Sequence, residues 1–172
     1  YDAYLAGENP NIFTTKFAGG VLMDLGVYLV GSAVAWFGMP MQATYLPRLL
    51  ASGVDGDGVA HLSYPDFDVV LRMGKTTNAY MTSEIYFGRD TLSFDSPGEL
   101  NDLRWISDDG TQKMSVSHAD NPMVEEADFF AHALTHHDRA AFEQQWHLAK
   151  QIHAVMGELR QGTQLIFETD PK

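Results

Sequence analysis

The run "FAGGVLMDLGVYLVGSAVAWFG", residues 17–38, is the most apolar stretch of the chain, yet its middle carries Asp24 and Tyr28. A segment of this length and polarity folds either as a bilayer span or as a helix buried against other elements. Residues four apart on a helix lie one above the other. Gly20, Asp24, Tyr28 and Ser32 therefore form a narrow polar stripe between walls of Leu22, Leu25, Leu29, Val34 and Phe37. The length is near the ~20 residues a span needs. However, an aspartate at the centre of a span costs about 2.5–3.5 kcal/mol, and no cluster of Lys or Arg flanks either end. We read the run as a core helix packed on a sheet, with its polar pair either satisfied internally or facing a ligand.

The remainder of the chain supports a globular reading. Its 172 residues suffice for one domain with a proper core. A net charge of −12 argues against a polyanionic partner, because nucleic-acid affinity comes mostly from Lys and Arg neutralising phosphates. There are no cysteines, which removes disulfides, thiolate catalysis and cysteine-ligated zinc and fits a reducing cytoplasm. The chain opens on Tyr1-Asp2-Ala3-Tyr4 with no leader pattern, and such a start reads as a cut within a longer protein.

Along the chain, residues 1–16 are loop-like, with a turn cluster Gly7-Glu8-Asn9-Pro10-Asn11. The helix of residues 20–37 stops at Gly38-Met39-Pro40. From Met41 to His118, short β-like runs alternate with turn signals. Pro47 in "MQATYLPRLL" indicates a bend or an edge strand, and "SGVDGDG", with Gly53 to Gly58, reads as a turn. "VAHLSY", "FDVVLRMG", "NAYMTSEIYF" and "TLSFDS" follow, then "LRWIS" and "QKMSVS" flanking the hairpin signal Asp108-Asp109-Gly110. In residues 77–87 one face reads Thr77, Ala79, Met81, Ser83, Ile85, Phe87 and is expected to pack on helices. The other, Asn78, Tyr80, Thr82, Glu84, Tyr86, suits water or a partner. Two helices close the chain. The first opens at Asn121-Pro122, with Glu125, Glu126 and Asp128 in its early turns; the second is capped by Asp138 and ended by Gly162. "TQLIFET" reads as a last short strand. Helix, strands, then helices predict a single α+β domain over residues 1–172: a mostly antiparallel open sheet with helices on one face.

His132 and His136 have a workable spacing for two zinc ligands. No glutamate stands beside the first of them and no third ligand is evident, so these histidines are expected on hydrated helix surfaces without metal. No phosphate-cradling loop, Walker motif or nucleophile elbow occurs. Asp24 and Tyr28 remain. Packing alone accounts for them as an acid favoured near a helix start and a core aromatic with its hydroxyl tied off. Gly19, Gly20 and Gly26 thin the helix around them where something else approaches.

"AGGVLMDLGVYLV", with its Trp-Phe-Gly helix end, resembles the start of the C-terminal domain of the glucose–fructose oxidoreductase/inositol dehydrogenase (Gfo/Idh/MocA) family. "SGVDGDGVAHLSY", "SEIYFGRDTLSFDSP" and "NPMVEEADFF" resemble later stretches of that domain, in family order. The resemblance implies the substrate-binding half of an NAD(P)-dependent oxidoreductase acting on a sugar, polyol or cyclic diol. An N-terminal Rossmann domain, absent here, would bind NAD or NADP and supply a lysine in a Glu-Lys-Pro motif; none of Lys16, Lys75, Lys113, Lys150 and Lys172 lies in such a motif. It further implies a homodimer or higher homo-oligomer through the open sheet face, no nucleic-acid or membrane partner, and a fragment inactive by itself.

Carried over by position, Asp24 falls on the aspartate that helps orient the reacting hydroxyl. Tyr28 falls where inositol dehydrogenase-like members have histidine; tyrosine there resembles the glucose–fructose oxidoreductase, dihydrodiol dehydrogenase and xylose dehydrogenase branches. A free phenol ionises near pH ~10, so proton transfer near neutrality calls for a neighbouring cation such as lysine. Lys16 is a candidate to reach the same pocket, and Gly20 a candidate to line the cofactor. Val21 replaces the family's third glycine, which is expected to change packing rather than abolish activity. Two other readings stay open: a family member that has lost catalysis and acts as a ligand-binding or oligomerisation module, and a metal-dependent hydrolase using the histidines.

Overall fold

Alternation in the strands decides where the core sits. In the computed structural model, β1 (Gln42–Leu49) pairs antiparallel with β2 (Asp55–Ser63), and β2 with β3 (Asp68–Gly74), so that β2 is central. Described are residues 1–172 except Asn9, Glu99, His118, Asp120, Pro171 and Lys172; Asn9 of the predicted turn cluster, His118 at the end of the β-rich stretch and Lys172 thus lie outside the described residues. The register places Ala43 opposite Leu62, Tyr45 opposite Ala60 and Gly58 opposite Met73. All six are buried on one face, as a half-covered antiparallel sheet requires. Pro47 lies on β1, an edge strand, as its missing N–H demands. At that edge the Ala43 N–H donates to Glu158 at 2.7 Å.

The chain forms two compact units: Tyr1–Ala79 with Leu148–Lys172, and Tyr80–His147. In the first, a short helix α1 (Asp2–Leu5) precedes two 3₁₀ turns, a π-helical turn Leu22–Gly26 and α2 (Val27–Phe37). Gly38 ends α2 at φ 78°, a conformation that favours glycine. Val21, Leu22, Val30, Ala33 and Val34 pack with the inner face of the sheet and with Val155, Met156 and Leu159 of α4 (Arg139–Arg160). Segment Thr15–Phe37 is long and apolar enough to cross a bilayer, but its buried side chains belong to this core. Val21, the departure from the glycine run, is fully buried there. Phe13, Val54 and Phe167 make a smaller cluster.

In the second unit, β4 (Ser83–Phe87), β5 (Asp90–Phe94), β6 (Arg104–Ser107) and β7 (Gly110–Lys113) form an antiparallel meander in chain order. Phe94 and Leu103 are buried, and Phe87 stacks on Trp105 at 5.5 Å. α3 (Pro122–Thr135) starts where expected, with the Asn121 side chain accepting from the Met123 N–H. Asp138 likewise accepts from the Ala141 N–H at the start of α4. These elements make the fold α+β, with two antiparallel open sheets.

Three expectations are corrected. Asp55–Gly58 of "SGVDGDG" are the first residues of β2, because Pro47, Arg48 and Leu49 offer them a pairing edge. Residues 77–82 are not strand, and Met81 is exposed rather than packed on helices. The cause is the partner's length: β5 ends at Phe94 opposite Ser83, and Asp95 then turns the chain by accepting from the Ser96 and Asn101 amides. Residues 163–169, "TQLIFET", form turns instead of a strand, and bury Leu165 and Phe167 without a ladder.

Candidate active site

The stripe predicted from four-residue spacing begins at Asp24. The π turn Leu22–Gly26 inserts extra backbone where α2 starts, and such turns recur at functional sites. Gly20 turns inward and is buried, whereas the Asp24 side chain is 47% exposed and Tyr28 is 69% exposed on the next turn. Ser32 continues this face, its hydroxyl donating to the Tyr28 carbonyl at 3.0 Å. Tyr28 therefore presents its phenol to solvent, and Asp24 stands one turn before it.

Asp24 is not alone. Lys75, just after β3, brings its Nζ onto Asp24 Oδ2 as an ion pair, while the Lys75 side chain is only 6% exposed. The ring of Phe13 lies 5.5 Å from the same ammonium. Burying a lysine this deeply is costly without a partner. Asp24 is the anion that compensates it, and the pair fixes the carboxylate's orientation. Sequence reasoning passed over Lys75; its only local signal is a charged residue following the apolar run of β3.

The glycines serve close packing within the chain. A Cβ on Gly26 would meet Met73 Sδ at 2.8 Å, and one on Gly19 the Ile12 backbone at 2.7 Å. One on Gly20, at φ 109°, would stand 2.0 Å from Asp55 Oδ1. Asp55 is fully buried, and its Oδ2 accepts from the Leu22 N–H at 2.9 Å and the Tyr45 hydroxyl at 2.5 Å. Burial, and then the bond to Asp55, pushes the Tyr45 hydroxyl well above its ordinary pKa, so it stays a donor. Lys16 is exposed with its ammonium 5.4 Å from the Phe17 ring, and among the described residues no ion pair or hydrogen bond joins it to Asp24 or Tyr28. His132 and His136 stack ring on ring at 4.1 Å, and no cluster of three metal-ligating side chains occurs among the described residues.

A half-exposed carboxylate held by a buried ammonium, one turn from an exposed phenol, is an arrangement suited to proton transfer at a bound hydroxyl. Comparison with known proteins gives the class. The chain is 34% identical over 174 residues to the uncharacterized oxidoreductase YgjR of Escherichia coli, covering 99% of this chain and 52% of that protein. It is 28% identical over 172 residues to the scyllo-inositol 2-dehydrogenase (NADP(+)) IolU of Bacillus subtilis, covering 99% and 52%. The chain thus spans about half the length of the curated relatives it matches. Among solved structures, the UDP-N-acetylglucosamine 3-dehydrogenase GnnA from Acidithiobacillus ferrooxidans shares the fold with TM-score 0.66 at 14% identity, over 84% of this chain and 47% of that one. An oxidoreductase from Klebsiella pneumoniae does so with TM-score 0.62 at 14% identity, over 81% and 46%. No model of a protein family matches the sequence. The chain is a homologue of oxidoreductases. These likenesses are consistent with the resemblance to the C-terminal domain of the Gfo/Idh/MocA family.

Proposed function

We propose that residues 1–172 are the substrate-binding and dimerisation half of an NAD(P)-dependent oxidoreductase that oxidises a CH–OH group of a sugar, polyol or cyclic diol, or reduces the corresponding carbonyl. The observation that carries this reading is the Asp24–Lys75 pair one turn before exposed Tyr28. The name of the Bacillus subtilis relative, a scyllo-inositol 2-dehydrogenase using NADP(+), supports the substrate class and the cofactor. The described residues hold no glycine-rich phosphate cradle, so a separate Rossmann domain is assigned the nucleotide, together with a lysine of its own.

When bound, the nicotinamide supplies the hydride acceptor. The chain's own residues do the rest. Asp24, its charge held by Lys75, accepts a hydrogen bond from the substrate and orients the reacting hydroxyl. Tyr28 takes the hydroxyl proton in oxidation and returns it in reduction. Gly20 is backed by Asp55, and any approach of the cofactor to it is from the backbone side. The outer face of the first unit's sheet exposes Leu46 and Val70, and we assign it to pairing with a second copy. We place the protein in the cytoplasm.

The test is NAD and NADP reduction by the full-length protein across a panel of sugars and polyols, beside Tyr28→Phe. Loss of a general acid–base group lowers turnover by about 10²–10⁴. Unchanged turnover would remove Tyr28 from the chemistry. No turnover by either protein on the panel would favour a ligand-binding or oligomerisation module.

A further inference from the structure

Asp55-Gly56-Asp57, the start of β2, touches both halves of the site. Leu22 is the first residue of the π turn that carries Asp24, and a helix-start N–H has no partner within its own helix. Asp55 supplies that partner from far along the chain, at 2.9 Å. The Gly56 carbonyl accepts from the Lys75 N–H at 2.8 Å. Asp57 accepts from the Thr76 hydroxyl and, at 3.1 Å, from that of Thr77. One tripeptide thus fixes the backbone that carries Asp24 and the backbone that carries Lys75.

We propose that Asp55 is a positioning residue that sets Asp24 against Lys75, an inference that rests on reading Asp24 and Tyr28 as the site. A buried carboxylate is an expensive way to fill a core, and an apolar residue of similar volume is often as stable or more so. Its geometry fits another use. Oδ2 takes two donors, from Leu22 and Tyr45, and Oδ1 is pressed against Gly20 where no Cβ fits. Oδ1 itself has no hydrogen-bond partner among the described residues. The carboxylate therefore fixes the position of Leu22, two residues before Asp24, while the next residues of the same strand hold Lys75.

The test compares Asp55→Ala and Asp55→Asn in the full-length protein. It reads amide hydrogen exchange at Leu22 and the water exchange of the ¹⁵N-labelled Lys75 ammonium. Alanine is expected to speed Leu22 exchange about tenfold and to expose the Lys75 ammonium, with Leu62 in β2 unchanged. Asparagine keeps an acceptor oxygen and is expected to restore both. Leu22 released with the Lys75 ammonium still protected would overturn the proposal, as would Leu22 protection that survives the alanine. Should the alanine variant not fold, Tyr45→Phe, which removes one of the two donors on Oδ2, decides. A severalfold rise in Leu22 exchange supports the proposal, and no rise rejects it. Turnover of scyllo-inositol with NADP is read alongside. Where wild type turns over, kcat falls in the alanine variant with KM within about twofold; a fall that asparagine does not restore counts against positioning. Absence of wild-type turnover counts against the proposed function alone, because the exchange measurements still judge Asp55.

Discussion

The Lys75 ammonium is sealed beneath the Asp24 carboxylate, with the Phe13 ring 5.5 Å from it. The two partners are unequally placed: the lysine side chain is 6% exposed and the aspartate side chain 47%. This asymmetry means the two halves of the pair are not interchangeable in their effect on stability.

Asp24→Asn strands a buried ammonium, whereas Lys75→Met leaves a carboxylate that water can reach. Breaking a buried pair from the exposed side costs about 3–5 kcal/mol in full, and exposure of Asp24 reduces this to about 1–3 kcal/mol. Lys75→Met, which keeps the apolar stem, is expected to cost under about 1 kcal/mol. For a chain of this size 1 kcal/mol moves Tm by about 2–4 °C. Thermal unfolding of the two variants side by side checks the order; equal losses would mean that Lys75 is not dependent on Asp24.

Tyr28→Phe is expected to leave stability within about 0.5 kcal/mol, because the side chain is 69% exposed and Ser32 binds the Tyr28 carbonyl rather than its phenol. Its turnover effect can then be read without a folding correction. A fall in Tm of more than about 2 °C would show that the phenol is packed against something.

Gly20→Ala is expected to destabilise by about 3 kcal/mol or more, from backbone strain at φ 109° together with the 2.0 Å approach to Asp55 Oδ1. Gly162→Ala, at φ 76° with nothing within 4 Å of the added Cβ, carries the strain alone and is expected to cost about 1 kcal/mol. Denaturant unfolding of both separates strain from collision.

The hydrogen bond from Arg160, followed by that from the Phe167 N–H, holds the Asp170 carboxyl below its ordinary range. A lowered folded pKa makes this contribution complete above the unfolded value and lost as pH falls through the folded one. Asp170→Asn is therefore expected to be less stable than wild type near neutrality, with the gap narrowing below pH ~4. Urea midpoints measured from pH 7 to pH 2 check the sign; a gap that widened on acidification would exclude the pairing.

Much of this architecture is legible locally. Gly38 and Pro40 stop α2, Asn121 and Asp138 start α3 and α4, and Pro47 marks an edge strand, since each acts on its own few residues of backbone. The spacing that puts Tyr28 one turn after Asp24 is of the same kind. Pattern fails where a distant partner decides. Residues 77–82 alternate like a strand but have no edge to pair with, and Asp55–Gly58 look like a turn but pair with β1. Sequence by itself determined the three long helices, most of the strand runs and the Asp24–Tyr28 face, because helical and strand periods follow from the backbone alone. Only the tertiary structure decided that Lys75 lies under Asp24 and that Asp55 holds Leu22. Both bring together groups far apart in the chain, and a buried charge declares its partner only when the elements have packed.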